Sequence, residues 1–475
     1  MSFPWDDPQM KGTHPASGLT LTSAAGVVVL LLGDPHHGYE LGQTLMSGLV
    51  IVFGVWAFWT HGGPQVTAAG AYSLATTVFV GYAGIHWVQN GPDPLPAVFF
   101  YATAAGYFTL VAMYFLFWAG TSPAYRPLMR GDSKTSTWAV NAGLAALLLS
   151  VGLSFTGETL AIGYRAGASA GIVLLTIGLA ISPRGERFSW GKRLLVAGAL
   201  GLYVMTIFTG YGRLYVVALA LGCGIIVCSR FKGRRGKLAG LVGVPVVAAG
   251  LTIIREAAAV ERYGEVARGQ DTSTSITSPL ETFVRLISAQ GQYPTGDGST
   301  FWATLVVFIP RAVWPEKPVG LGAVLVRMFE PEQVRSGGSI AALSLGEWFY
   351  NFGWMGLPLM VLVVGLVVRW LDRRLSRTLT HPMSSRRSVF AFAAWVTAVA
   401  GLGDVVWVGS FTYMSRVGFT LIVLGVMFVV MAAATPKRSK VGDGEDDAAT
   451  TVAASSGVVA VRGRATAGTT GPVDG

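Results

Sequence analysis

Long apolar runs, each about the length that crosses a bilayer, follow one another along this chain with short polar stretches between them. The pattern predicts spans at 19–34, 42–60, 66–88, 95–119, 137–156, 159–181, 193–210, 214–229, 238–254, 346–371, 388–408 and 414–434, twelve in all. The expected architecture is an all-α polytopic membrane protein with both ends on the same side of the bilayer. It divides into N-terminal spans over 1–254, a long connection over 255–345, C-terminal spans over 346–434 and a tail over 435–475. The tail is rich in Gly, Ala, Thr and charge with no apolar period, so it is expected to be disordered. The first run follows a weakly charged N-terminus with no small-residue cleavage site before the next span, which favours a retained helix over a signal peptide.

The connection over 255–345 is far longer than an ordinary loop and carries apolar patterns of its own. In "SPLETFVRLISAQ" Ser278 is placed as N-cap, Pro279 at the first helical position and Glu281 three residues after the cap, a capping box. Leu280, Phe283, Val284 and Ile287 share one face, while Glu281, Arg285 and Ser288 share another. That predicts an interfacial helix lying on the membrane with its polar face toward water. "TFWATLVVFIP" is too short to span, so it should be re-entrant or interfacial, with Pro310, Pro315 and Pro318 stopping it.

Composition agrees with the pattern: of 475 residues, 52% are hydrophobic and 13% charged, about half the share of charged residues in a soluble domain. A net charge of +10 would suit nucleic acid, but the basic residues form short clusters between spans. Arg126, Arg130 and Lys134 follow the fourth span, Arg184, Arg187, Lys192 and Arg193 the sixth, and Arg230, Lys232, Arg234, Arg235 and Lys237 the eighth. Arg373, Arg374, Arg377, Arg386 and Arg387 follow the tenth, and Lys437, Arg438 and Lys440 the twelfth. The positive-inside rule then puts these loops and both termini in the cytoplasm and the long connection outside, with membrane lipids rather than nucleic acid as surroundings. Only Cys223 and Cys228 occur, both in one apolar run, which argues against a disulfide framework or a cysteine metal site. No phosphate-cradling loop, dinucleotide fingerprint, HExxH or CxxC spacing is present, and an outward site has no access to cytoplasmic nucleotides, so no nucleotide cofactor is expected and energy should come from an ion gradient or from a substrate that arrives already activated.

Chemistry concentrates on the outer side. Arg213, Arg255, Arg262, Arg285, Arg311, Arg327, Arg335 and Arg416, with Lys317, all fall in the long connection or at helix ends facing it. Guanidinium stays charged and grips phosphate oxygens in pairs, although each of these residues would equally satisfy a neighbouring carboxylate or a lipid headgroup. Arg213 stands in the tight turn "TGYGR" between two apolar helices, where a charge is costly unless it serves a function or an ion pair. In "SLGEWFYNFGWMG" the residues Ser344, Glu347 and Asn351 fall on one helical stripe beside Tyr350. Glu347 could take a proton from a sugar hydroxyl or hold an arginine. Asp404 and Arg416 lie at neighbouring ends of the last two spans, placed for a salt bridge. Asp34, His36, His37 and Glu40 make a polar first outer loop, read as solvated rather than metal-binding. Trp302, Trp314, Trp348 and Trp354 suit interface anchoring or sugar stacking.

The turn "TGYGR", the long outer loop, the block "IPRAVWPEKP" and then "SLGEWFYNFGWMG" entering a helix that ends in basic residues resemble, in order and spacing, the oligosaccharide repeat-unit polymerases of the Wzy or O-antigen type. The resemblance covers about residues 200–375. It implies a multi-pass transferase similar to the C-class glycosyltransferases. Such an enzyme polymerises oligosaccharide units carried on undecaprenyl pyrophosphate at the outer face of the cytoplasmic membrane, without nucleotide sugar or metal. Partners implied are the lipid-linked oligosaccharide, and a chain-length regulator and a flippase of the same pathway. Carried over by position, Arg213, Arg311 and Glu347 are the matching functional residues. On this reading Arg213 and Arg311 hold the donor pyrophosphate with Lys317 and Arg285 at the rim. Glu347 or Glu316 orients or deprotonates the acceptor hydroxyl, and Trp314, Tyr350 and Asn351 meet sugar or acceptor. A ligase moving a finished glycan, a transferase using a polyprenyl-phosphate sugar with Asp34 or Glu40 as its carboxylate, and a flippase of the same lipids are the alternatives.

Overall fold

The computed structural model describes residues 15–33, 39–121, 131–156, 161–182, 190–207, 213–230, 234–243, 274–334 and 339–433. Expectations for Asp34, His36, His37, Arg255, Arg262, Arg335 and the tail over 435–475 lie outside these residues. In chain order the helices are α1 (Pro15–Leu32), α2 (Glu40–Thr60), α3 (Ala68–Asn90), α4 (Ala97–Thr121), α5 (Ser133–Ser154), α6 (Ala161–Ala180), α7 (Trp190–Thr206), α8 (Arg213–Cys228) and α9 (235–243). They continue with α10 (Thr274–Ser288), α11 (Ser299–Leu305), α12 (Leu321–Phe329), α13 (Leu343–Phe352), α14 (Gly356–Leu379), α15 (Arg386–Ala400), α16 (Leu402–Val408) and α17 (Ser410–Ala433). No strand occurs among the described residues. The chain divides after Phe428 into two units, and of the second only 429–433, the end of α17, is described.

Eight helical stretches among the described residues are long and apolar enough to cross a membrane, and Ala16–Leu32 and Leu214–Cys228 are shorter apolar helices. The protein is thus a helical polytopic membrane protein. Of the remaining expected spans, 193–210 forms the 17-residue α7, and most of 238–254 lies outside the described residues. α13 and α14 form one apolar stretch, Leu343–Leu379, joined by a tight turn at Gly353–Met355.

Small residues let the helices approach closely. A Cβ on Gly143 of α5 would lie 2.5 Å from the backbone nitrogen of Leu175 in α6, so only glycine fits that crossing. Indole Nε1 of Trp118 in α4 donates to the Gly365 carbonyl in α14 at 3.0 Å, satisfying a buried donor across two helices. Among the described residues three helices contain wide π turns, at Thr77–Tyr82, Tyr114–Trp118 and Met414–Gly418, a distortion that recurs at functional positions.

The helix at "SPLETFVRLISAQ" begins earlier than the capping box suggests. α10 starts at Thr274 and carries Pro279 inside it. The preceding turn is held by tertiary packing: Thr277 is fully buried and its carbonyl accepts from Trp87 Nε1 at 3.3 Å. Its apolar face also goes elsewhere. Leu280, Phe283 and Val284 are buried within the bundle, with Phe283 edge-on to Phe349 of α13, while Arg285 stays exposed. The helix therefore buries that face against protein rather than lipid, because the bundle offers a better packed surface. α11 is short, as expected, with Trp302 and Leu305 largely exposed.

A polar cluster ties α2, α3, α9 and α14 together. Thr67 caps α3 by accepting from Gly70 N at 3.0 Å, and Asp372 accepts from Ala68 N and Ala69 N at 2.5 and 3.2 Å. Two orphan amides of the helix start are satisfied this way by a carboxylate at the positive end of the helix dipole. Lys237 is fully buried and its Nζ donates to the carbonyls of His61 and Trp59 at 2.6 and 3.2 Å. Burial pushes its pKa down to about 7, with the Arg234 charge adding to the shift; burial and then Lys237 push His61 down to about 4. An unfolded lysine holds its proton to about 10.5, so between pH 7 and 10.5 the unfolded state binds more protons and stability rises with pH. Melting followed from pH 7 to 9 should show this rise, at most about 1.4 kcal/mol per pH unit. Lys237→Met should flatten it; an equal slope in the variant would count against the buried lysine as its source.

Candidate functional site

The stripe read from sequence converges on one carboxylate. Ser344, Glu347 and Asn351 are all buried on α13. α16 ends at Val408, and Gly409, at φ +102°, turns the backbone so that α17 starts with its first amide aimed at α13. Glu347 Oε2 accepts from Ser410 N at 2.7 Å and Oε1 from Ser410 Oγ at 2.9 Å. Thr300 Oγ1 of α11 donates to the same Oε1 at 3.5 Å, and Asn351 Nδ2 donates to Thr300 Oγ1 and to the Glu347 carbonyl, both at 2.7 Å. Thr304 and Ser410 exchange a hydroxyl bond at 2.9 Å. A Cβ at position 409 would come within 2.4 Å of Glu347 Oε2, so glycine is required on both conformational and steric grounds. Glu347 therefore caps α17 and locks three elements together. Among the described residues no arginine bonds to it.

The cations of the long connection are largely occupied locally. Arg311 Nη1 donates to the Pro315 carbonyl at 2.9 Å and to the Lys317 carbonyl at 3.5 Å. Lys317 Nζ donates to the Ile309 and Val307 carbonyls at 2.6 and 3.0 Å. "FIPRAVWPEKP" is thus folded on itself by its own two cations, with Glu316 exposed and Trp314 half-buried. Burial and the Arg311 charge lower the Lys317 pKa. Arg285 pairs with Glu281 at 2.6 Å and reaches Glu330 at 4.0 Å. Tyr350 stacks on Tyr293 with centroids 6.0 Å apart. Arg213 begins α8, but its side chain lies outside the described residues. Glu347, Asn351 and Tyr350 are brought together; Arg285, Arg311 and Lys317 form no hydrogen bond or ion pair with Glu347 or Glu316 among the described residues.

A second polar centre lies where α15, α16 and α17 meet α8. Arg416, inside the π turn of α17, donates from Nη1 to Asp404 Oδ1 at 2.5 Å; the Asp404 side chain is fully buried and that of Arg416 is 24% exposed. The pair borders a small cavity whose polar lining includes Ser169, Tyr215, Thr397 and Thr420. Tyr215 and Thr420 share a hydroxyl bond at 3.2 Å, and Tyr215 stacks on Tyr203 at 6.2 Å. Across the wall formed by Ala218, Ala400 and Asp404 lies an apolar cleft between α3, α8 and α16. A further cavity shares Val217 and Leu221 with the cleft and follows α8 down to Cys228. Sequence reading found the Asp404–Arg416 pair but missed Thr300, Ser410, Thr397, Tyr215 and Trp407. Only the spacing of Thr397, Ala400, Asp404 and Trp407 by three or four residues hinted that the eleventh expected span turns one semi-polar stripe inward. Compared with known proteins, the chain matches no family model and no solved structure.

Proposed function

We propose that this protein is a membrane glycosyltransferase that polymerises polyprenyl-pyrophosphate-linked oligosaccharide repeat units at the outer face of the cytoplasmic membrane. In this reading the chain crosses the membrane twelve times with both termini inside, as its basic clusters favour, and works in the manner of the O-antigen polymerases it resembles. The observation that carries the reading is the Asp404–Arg416 pair set in the wall between a polar cavity and a long apolar cleft. A lipid pyrophosphate needs an apolar channel ending at fixed positive charge. Arg213 opens α8 immediately before Leu214, which lines that cleft.

A glycosyl group on pyrophosphate is already activated, and the developing charge of the leaving group is stabilised by arginines held in a partly dehydrated site. Arg213 supplies this grip, and Arg311 keeps the loop "FIPRAVWPEKP" in shape. Glu347 orients the α11, α13 and α17 ends around the acceptor. The acceptor hydroxyl attacks the anomeric carbon with inversion, its proton leaves to base or solvent, and the bond to pyrophosphate breaks with the electron pair staying on the lipid.

Arg213→Ala and Arg311→Ala, made separately in a host whose surface glycan depends on this protein, test the proposal once membrane expression is confirmed. Expected for each is at least a tenfold loss of long lipid-linked chains, with single units accumulating on the outer leaflet. Units accumulating on the inner leaflet would indicate a flippase, and unchanged chain length would overturn the proposal.

A further inference from the structure

Three buried polar atoms without a hydrogen-bond partner belong to one stripe of α15 and α16: Thr397 Oγ1, Asp404 Oδ2 and Trp407 Nε1. Thr397 lines the polar cavity, Trp407 the apolar cleft, and Asp404 both. An orphaned buried polar atom costs about 1–3 kcal/mol, so three on one stripe of eleven residues call for a partner from outside the chain. The set is specific in its demand. Asp404 is held by Arg416 through Oδ1, which leaves Oδ2 an acceptor facing no donor, while Trp407 Nε1 is a donor facing no acceptor. A hydroxyl both donates and accepts, and so suits this pair. Trp407 also presents an aromatic face fixed by stacking on Phe79, with centroids 5.7 Å apart and planes 12° apart.

The space is much larger than one hydroxyl. Leu214, Val217 and Leu221 of α8 line the apolar cleft, and the same face continues through Gly224 to Cys228 in the adjoining cavity. The fourteen residue steps from Leu214 to Cys228 rise about 21 Å, the length of a long alkyl or prenyl chain.

We infer that this joined cavity binds a long-chain glycolipid, its chain along α8 and hydroxyls of its lipid-proximal sugar on Asp404, Trp407 and Thr397. Assigning that sugar to the donor rests on the function proposed above, and there these three residues determine which sugar adjoins the pyrophosphate. The chain occupies the cleft, Arg416 sits beside the charged linkage, and the sugar meets the stripe.

The test uses the full-length protein in phospholipid nanodiscs and a dodecyl β-glucoside bearing a chain-terminal diazirine. Photolabelling should map to Leu214–Cys228 and be displaced by unlabelled dodecyl glucoside but not by dodecane. Trp407→Phe and Thr397→Val each remove one hydrogen-bonding group with little change of shape, and each should lower labelling about three- to tenfold. Labelling unchanged in both variants, absent from α8, or displaced equally by dodecane would overturn the inference and leave water as the partner of these atoms. Because labelling needs no glycosyl transfer, it stands or falls separately from the chain-length test of Arg213→Ala.

Discussion

Glu347→Ala is expected to cost about 3–5 kcal/mol of stability, since it strips the acceptor from the Ser410 amide and from the Ser410 and Thr300 hydroxyls and leaves a cavity. The loss should appear as a lowered melting temperature in detergent and lower abundance in the membrane. Glu347→Gln keeps one acceptor oxygen but turns an amide N–H toward a donor, and should cost about 2 kcal/mol. The two variants also separate positioning from proton transfer. If Glu347 orients the site, glycan elongation falls in step with stability and Glu347→Gln retains measurable chain growth. A Glu347→Gln protein that melts like wild type yet makes no long chains would instead identify the carboxylate as the base.

Arg416→Ala should be comparably severe. It leaves Asp404, itself 1% exposed, with both oxygens lacking a donor, and breaking a buried pair from one side costs about 3–5 kcal/mol. Arg416→Ala combined with Asp404→Ala should be less destabilised than the sum of the single changes, with a coupling of about 1–3 kcal/mol in the cycle. Additive costs, or a single Arg416→Ala cost under about 1 kcal/mol, would mean that the pair contributes little despite its short distance.

Parts of the site were legible because they are local. The stripe Ser344, Glu347, Asn351 follows from helical spacing alone, and the facing of Asp404 and Arg416 follows from a short connection between two apolar runs. The local occupation of the cations in the long connection was not legible. Arg311 and Lys317 each had carbonyls within ten residues to satisfy them, and only the folded path of the prolines at 310, 315 and 318 shows that they turn inward on their own loop. Nor does any pattern announce an orphaned atom, since that depends on what every neighbour is doing.

By itself the sequence determined that this is a helical membrane protein, where its longest apolar runs become helices, and that its charge collects between them. Backbone groups in lipid must be satisfied within the segment, so a long apolar run has little choice but to be a helix. Tertiary structure alone decided what Glu347 caps, because its partners Thr300 and Ser410 stand 47 and 63 residues away and Gly409 must bend to present the amide. It likewise decided that α10 packs on the bundle, and that α3, α8 and α16 leave a cleft open beside Asp404. These are long-range packing outcomes, set by which surfaces fit, and periodicity along one chain segment carries no information about the surface it will meet.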